Sequence, residues 1–126
     1  MILSGHLIGE EEIISPFLPR TRTPSGLSYG SGPAGYDIRI AQSIGVPPSG
    51  FALASSIEHF KMPDDVVGFV ADKSSHARTG LSVFNTVIEP GWTGYLTIEL
   101  FKHRSVFSFL QGGGSNRASD IPSSGR

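Results

Sequence analysis

The sequence predicts an all-β fold, a sandwich or barrel of short strands, and three observations carry that prediction. Sixteen glycines and nine prolines interrupt the chain too often for long helices. Between the interruptions, Tyr36-Asp37-Ile38-Arg39-Ile40 alternates apolar and polar residues with the period of two that a half-buried strand requires. The later runs at 81–87 and 94–101 are dominated by β-branched and aromatic side chains, which fit a pleated surface. Short strands at regular spacing between Gly/Pro turns are the pattern of a sandwich or barrel.

The elements follow in chain order. In residues 1–14, Ser4 stands as a helix N-cap ahead of Leu7 and Ile8, and Ile13 and Ile14 close the segment, so a short helix leads into a strand. Glu10, Glu11 and Glu12 between them read as a solvated face rather than a metal site. Pro16, Pro19 and Pro24 punctuate an irregular segment that ends in a Gly/Ser-rich loop over 25–35. The string GSGPAG in that loop is not a phosphate loop, because no Gly-Lys-Ser/Thr follows it. At 36–40 the strand puts Tyr36, Ile38 and Ile40 on one face and Asp37 with Arg39 on the other, where the two charges suit pairing with neighbouring strands. Residues 46–50 form a turn, 51–55 a strand reaching toward Glu58 and Phe60, and Met62-Pro63-Asp64-Asp65 turns the chain into a strand at 66–70. The two β-rich runs that follow are joined through Pro90-Gly91, and Trp92 beside that turn reads as a core or interface anchor. After Phe101 the character changes to the basic Lys102-His103-Arg104, an apolar stretch at 106–110, and a polar Gly/Ser-rich stretch at 111–126 with no packing logic. The folded unit is therefore drawn over 1–101, and 102–126 as an atypical, mobile tail. No internal repeat is present.

Composition narrows the function classes. At 126 residues the chain is one domain, small enough for oligomerisation to supply part of its burial. With 17% charged residues and a formal net charge of -1, nothing points to a nucleic-acid partner. The absence of cysteine excludes a disulfide framework and thiolate metal sites. His6, His59, His76 and His103 are scattered without the spacing of a zinc hydrolase, so hydrolysis by this chain is expected to proceed without zinc, and no metal-ligating residues are assigned. No window approaches the ~20 apolar residues of a membrane span, and no targeting segment opens the chain, so the expectation is a cytoplasmic protein without a membrane partner.

The chemistry concentrates in 71–100, ADKSSHARTGLSVFNTVIEPGWTGYLTIEL. Lys73, Ser74, Ser75 and Arg78 supply positive charge and hydrogen-bond donors suited to phosphate oxygens. Glu99 stands in an apolar strand among Leu96, Ile98 and Leu100, where desolvation would raise its pKa toward that of a working base. An exposed position on the polar side of the strand, shared with Thr97, is the alternative for Glu99. The set offers Glu99 to activate water and relay protons, Ser74 to hold the water, and Lys73 with Arg78 to meet an anion.

These residues resemble a known family. DKSSHARTGL and TVIEPGWTGYLTIEL are similar to the signature region of the dCTP deaminases, which share their fold with trimeric dUTPases; MILS, YDIRI and FALASSIEHFKMPDDVVGFV extend the similarity over 1–101. The resemblance implies a distorted β-barrel of the trimeric dUTPase type and a homotrimer with sites between subunits. It also implies Mg2+ bound through the nucleotide triphosphate and conversion of dCTP to dUTP and ammonia. By position, Glu99 matches the catalytic glutamate, with Ser74 and Arg78 beside it in catalysis. Lys73, Ser74, Ser75, His76, Ala77 and Arg78 match the nucleotide-binding segment, with lysine where many members carry arginine. Glu89 matches an acidic residue near the deoxyribose, and Thr97, Ile98 and Glu99 match the strand that meets the nucleotide. A dUTPase, a deaminase that also releases pyrophosphate, and a non-catalytic nucleotide-binding trimer are the competing readings. The resemblance further implies a later strand and a closing C-terminal segment, in place of which this sequence has Gln111-Gly112-Gly113-Gly114-Ser115, as in a C-terminally truncated or altered member.

Overall fold

The computed structural model describes residues 2–24, 26–103 and 108–110, the last as backbone only. Ser4 caps α1 (Gly5–Glu10), its hydroxyl accepting the amide of Leu7 at 3.3 Å and so satisfying one of the donors that a helix start leaves over. The chain then enters β1 (Ile14–Ser15), as the apolar pair Ile13 and Ile14 predicts. The proline-punctuated segment forms β2 (Thr21–Arg22), the stretch expected to be a loop forms β3 (Ser28–Gly32), and the last residue of that stretch opens β4 (Gly35–Asp37), which otherwise falls in the strand expected at 36–40; the three make an antiparallel sheet in the order β2-β3-β4. Glycine and serine carry no alternating side-chain pattern, so this sheet is defined by backbone pairing that composition does not reveal. A Cβ on Gly5 would lie 2.1 Å from Ser31 Oγ, so only glycine lets α1 rest this closely on β3.

The strand expected at 36–40 ends its regular pairing at Asp37 and continues as an isolated bridge, Ile40 to Ser56. What holds it is a buried ion pair. Arg39 Nε donates to Glu58 Oε2 at 2.9 Å and the Arg39 amide to Glu58 Oε1 at 3.0 Å, the Glu58 side chain is 0% exposed, and the guanidinium sits 4.6 Å from the centre of the Tyr29 ring. Arg39 thus pairs with a neighbouring strand as expected.

Next come β5 (Ile44–Val46) and the long β6 (Phe51–Lys61), with the turn between them closed by Gly50 N–H donating to Pro47 at 2.9 Å. The run at 66–70 contracts to β7 (Gly68–Phe69), and α2 (Ser74–Ala77) is a single turn of helix. The run at 81–87 divides into β8 (Leu81–Val83) and β9 (Val87–Ile88), because the two halves pair with different partners, β10 and β7. After it comes β10 (Thr93–Lys102). The central sheet has the order β1-β6-β10-β8, and β6 and β10 form its long antiparallel spine. A register shift between Tyr95 and Thr97 leaves the Leu96 amide to donate to the buried Ser56 hydroxyl at 3.0 Å, which in turn donates to Glu58 O at 2.7 Å. The fold is all-β, its sheets curled into a half-barrel of dUTPase type with two short helices among the described residues.

Leu96, Ile98 and Leu100 of β10 face inward with Ala54 and Phe60 of β6, Ile14, Leu81 and Ile88, and together they form the core. Lys102 continues this inward series: it is fully buried, and its Nζ donates to Thr79 O at 2.5 Å. The ordered strand therefore runs one residue past the boundary drawn at 101, and β11 (Ser108–Leu110) pairs antiparallel with β5. The stretch 111–126, expected to be mobile, lies outside the described residues. No helix among the described residues is long and apolar enough to cross a membrane.

Candidate active site

The segment 72–80 is held against the edge of the central sheet at several points. Asp72 Oδ1 accepts the Val83 amide at 2.6 Å, and Lys73 Nζ reaches back to Asp37 Oδ2 at 2.5 Å. At the far end, Thr79 O takes the Lys102 amine, and His103 N–H donates to Gly80 O at 2.7 Å. Gly80 ends the helical turn with φ of 86°, a left-handed conformation that favours glycine. Within this frame Lys73 is the N-cap residue of α2, Ser74 is its first residue and exposed, Ala77 closes it exposed, and Arg78 follows as an exposed C-cap. Among the described residues Arg78 makes no ion pair.

Ser75 and His76 point the other way. Ser75 Oγ and His76 Nδ1 are buried and, among the described residues, have no hydrogen-bond partner. Burial first and the Lys73 cation second push the His76 pKa down to about 4 against the opposing pull of Asp37, so the imidazole is neutral near pH 7.

Glu99 occupies the opposite face of β10 from the core. Leu96, Ile98 and Leu100, expected to surround it, point inward, so the apolar setting assigned to the carboxylate is corrected. The strand alternates strictly here, and odd and even residues cannot share a face. Glu99 is half-buried, with Thr97 exposed on its own face, Leu53 opposite it on β6, and Phe84 N–H donating to its carbonyl at 3.0 Å. Phe51 and Phe84 stack 5.8 Å apart on that side. Glu99 thus stands on a face that also carries apolar residues, though not its neighbours in sequence. Ile98, 5% exposed in the core, can meet a ligand on the outer face only through its backbone.

Strand pairing brings 73–80 and Glu99 to the same end of β10, because β8 lies between α2 and that strand and pairs Leu100 with Val83. Glu89 is not brought there. It is exposed in the turn before β10, where its carbonyl accepts the Trp92 amide at 3.1 Å; Glu99 lies six residues beyond Thr93, about 20 Å along an extended strand. Trp92 is half-buried against the core, as an anchor should be. A cavity of about 1130 Å³ forms the inner concavity of the curled sheet; Lys73 and His76 line it, and Glu99 does not. It is the interior of the fold and does not reach Glu99, Ser74 or Arg78, so the outer edge that carries these three residues is taken as the candidate site. Sequence reasoning missed Asp72 and Lys102 as supports of this edge. Lys102 was legible as the next inward residue after Leu96, Ile98 and Leu100, whereas nothing in the spacing marks Asp72 as the partner of Val83.

Residues 34–113 match the family model described as dCTP deaminase-like. Among curated relatives, a dCTP deaminase of Campylobacter hominis is 36% identical over 117 residues, covering 70% of this chain and 62% of its own. A dCTP deaminase of Nautilia profundicola is 35% identical over 116 residues, with coverage of 70% and 62%. One from Ehrlichia canis is 32% identical over 119 residues, with coverage of 71% and 64%. The chain thus spans a little under two thirds of the length of these relatives.

Proposed function

The chain belongs to the dCTP deaminase-like family, and from that premise we propose that it catalyses the zinc-independent hydrolytic deamination of dCTP to dUTP and ammonia. The supporting observation is the arrangement at one end of β10, where a half-buried glutamate on the outer face and a segment bearing exposed Ser74 and Arg78 flank the same edge strand. In the reaction, a water oxygen bonds to C4 of the cytosine and the C4–N4 bond breaks. Glu99 takes a first proton from the water and passes it to the ring nitrogen N3, then takes the remaining hydroxyl proton and passes it to the departing amine, so that ammonia leaves and the oxygen stays on C4 as a carbonyl. Ser74 orients the water, and Arg78 offers planar donors to the phosphate oxygens with Lys73 as a second cation in the segment. Ser75, His76, Ala77, Thr97 and Ile98 shape the nucleotide-binding edge.

Among the described residues no three His, Asp or Glu side chains converge to hold a metal ion. In this proposal Mg2+ is bound through the triphosphate, where it neutralises phosphate charge, and the chain acts on the phosphates rather than on the ion. The protein acts in the cytoplasm as a homotrimer with sites between subunits. The position of Glu89 supports that assembly, since within one chain it sits at the other end of β10 from Glu99 and would meet the same nucleotide only from a neighbouring copy. Incubation with dCTP and separately with dUTP, in the presence of Mg2+, tests the reading. Ammonia from dCTP without pyrophosphate is expected; pyrophosphate from dUTP would make the chain a dUTPase, and nucleotide binding without either product would make it a binding module.

A further inference from the structure

Two residues of the phosphate-facing segment carry formal positive charge, and they are differently placed. Arg78 is exposed and, among the described residues, without an ion pair. Lys73 is only 29% exposed at its side chain, and its amine is joined at 2.5 Å to Asp37, a residue of another sheet 36 positions earlier in the chain. Lys73 is also the N-cap of α2, a position where a side-chain oxygen would ordinarily tie down the first turn, and it makes no such bond. The first turn is instead anchored from outside, through the lysine stem to β4 and through Asp72 to the Val83 amide.

We propose that Asp37 is a positioning residue for the nucleotide-binding edge: its carboxylate holds Lys73 as a strut that sets where the turn of α2 begins, and the direct anion contact falls to Arg78. The inference rests on the nucleotide-binding role given to this edge above, and it narrows the part Lys73 plays there. Three features carry it. The pair ties the N-cap residue of α2, which lies outside any strand, to β4 of the β2-β3-β4 sheet, so it locks α2 relative to β4 rather than merely decorating a surface. Asp37 and Lys73 line the inner concavity together with His76, whereas Ser74 and Arg78 are exposed and do not line it. An ammonium already neutralised by a contacting carboxylate also attracts a second anion less than a free guanidinium does.

The test is a double-mutant cycle of Asp37→Asn, Lys73→Met and both together, read two ways. The first readout needs no nucleotide: amide hydrogen exchange across 74–78. Each single substitution is expected to speed exchange there by up to about fivefold, the range of a partly exposed ion pair, and the double substitution no further than either single one. The second is calorimetric binding of dCTP with Mg2+, in which Asp37→Asn weakens affinity by a similar factor in the native background and has little added effect beside Lys73→Met. Lys73→Arg, which keeps the pair, should restore both readouts. An Asp37→Asn effect that persists undiminished beside Lys73→Met overturns the proposal, because Asp37 would then act on something other than Lys73. A Lys73→Met variant that loses dCTP while Asp37→Asn binds normally also overturns it, since Lys73 would be a direct anion ligand. If the native chain does not bind dCTP, the functional reading fails, and the exchange cycle alone decides whether the strut exists.

Discussion

His76 shows how a single side chain can report its surroundings. Its ring is buried and beside a cation, so the folded protein holds it neutral down to about pH 4, whereas in the unfolded chain it titrates near the ordinary value of 6.5. A histidine with a depressed folded pKa contributes stability that is fully present above the unfolded value and is lost as pH falls from about 6.5 to about 4, where the unfolded state binds the extra proton. The contribution is about 3 kcal/mol in order of magnitude. Denaturant unfolding at pH 7.5 and pH 4.5 should therefore show a loss in the native chain that is clearly smaller in His76→Leu. Arg78 reports differently, because it is exposed and its role lies in binding. Arg78→Ala should weaken dCTP by about 10- to 100-fold, the worth of charge-assisted hydrogen bonds, and leave deoxycytidine nearly unaffected. Isothermal titration of both ligands measures the split, and light scattering on the same variant checks that its assembly is unchanged.

At the scale of elements, the buried Arg39–Glu58 pair joins the 36–40 run to β6, and its loss should be felt through the whole central sheet. Arg39→Met leaves a fully buried carboxylate without its partner, which costs about 3–5 kcal/mol. A urea melt should show that loss, and replacing Glu58 by Gln in the same chain should recover part of it. The elements were legible in the sequence to the extent that side chains define them. The Ser4 cap and the spines of β6 and β10 follow from capping chemistry and alternation and stand where the residues predict, and the turn expected at 46–50 begins one residue later, since Val46 ends β5. Of the sheet β2-β3-β4 only Tyr36 and Asp37 of β4 were legible, from their alternation; β3 was not, because its Gly/Ser composition carries no face. The division of 81–87 was not legible either, because the change of partner from β10 to β7 is a tertiary event. For the candidate site, residue types and spacing single out 73–78 and Glu99 as candidates, but the face on which Glu99 stands follows from alternation, which its three apolar sequence neighbours obscured. The link from Lys73 to Asp37 spans 36 positions, and no local pattern announces it.

At the scale of the whole molecule, one curled sheet separates two environments. The inner face is the apolar core and its concavity. The outer face of the β6–β10 spine and its neighbouring edge carry Phe51, Leu53, Phe84 and Tyr95, each about half exposed, around Glu99. In the proposed trimer neighbouring copies cover this face, exclude water from the carboxylate and bring Glu89 of one copy toward Glu99 of another, which strengthens every charge interaction at the site. The central claim is that Glu99 is the base of a hydrolytic deamination. Its most direct test is the rate of ammonia release from dCTP with Mg2+, measured for the native chain and for Glu99→Gln after calorimetry has established nucleotide binding in both. The account predicts steady ammonia release by the native chain, a fall of about 10²- to 10⁴-fold in Glu99→Gln, and dCTP affinity nearly unchanged between them. Equal ammonia release by the two proteins, or none from a native chain that binds dCTP, would contradict it.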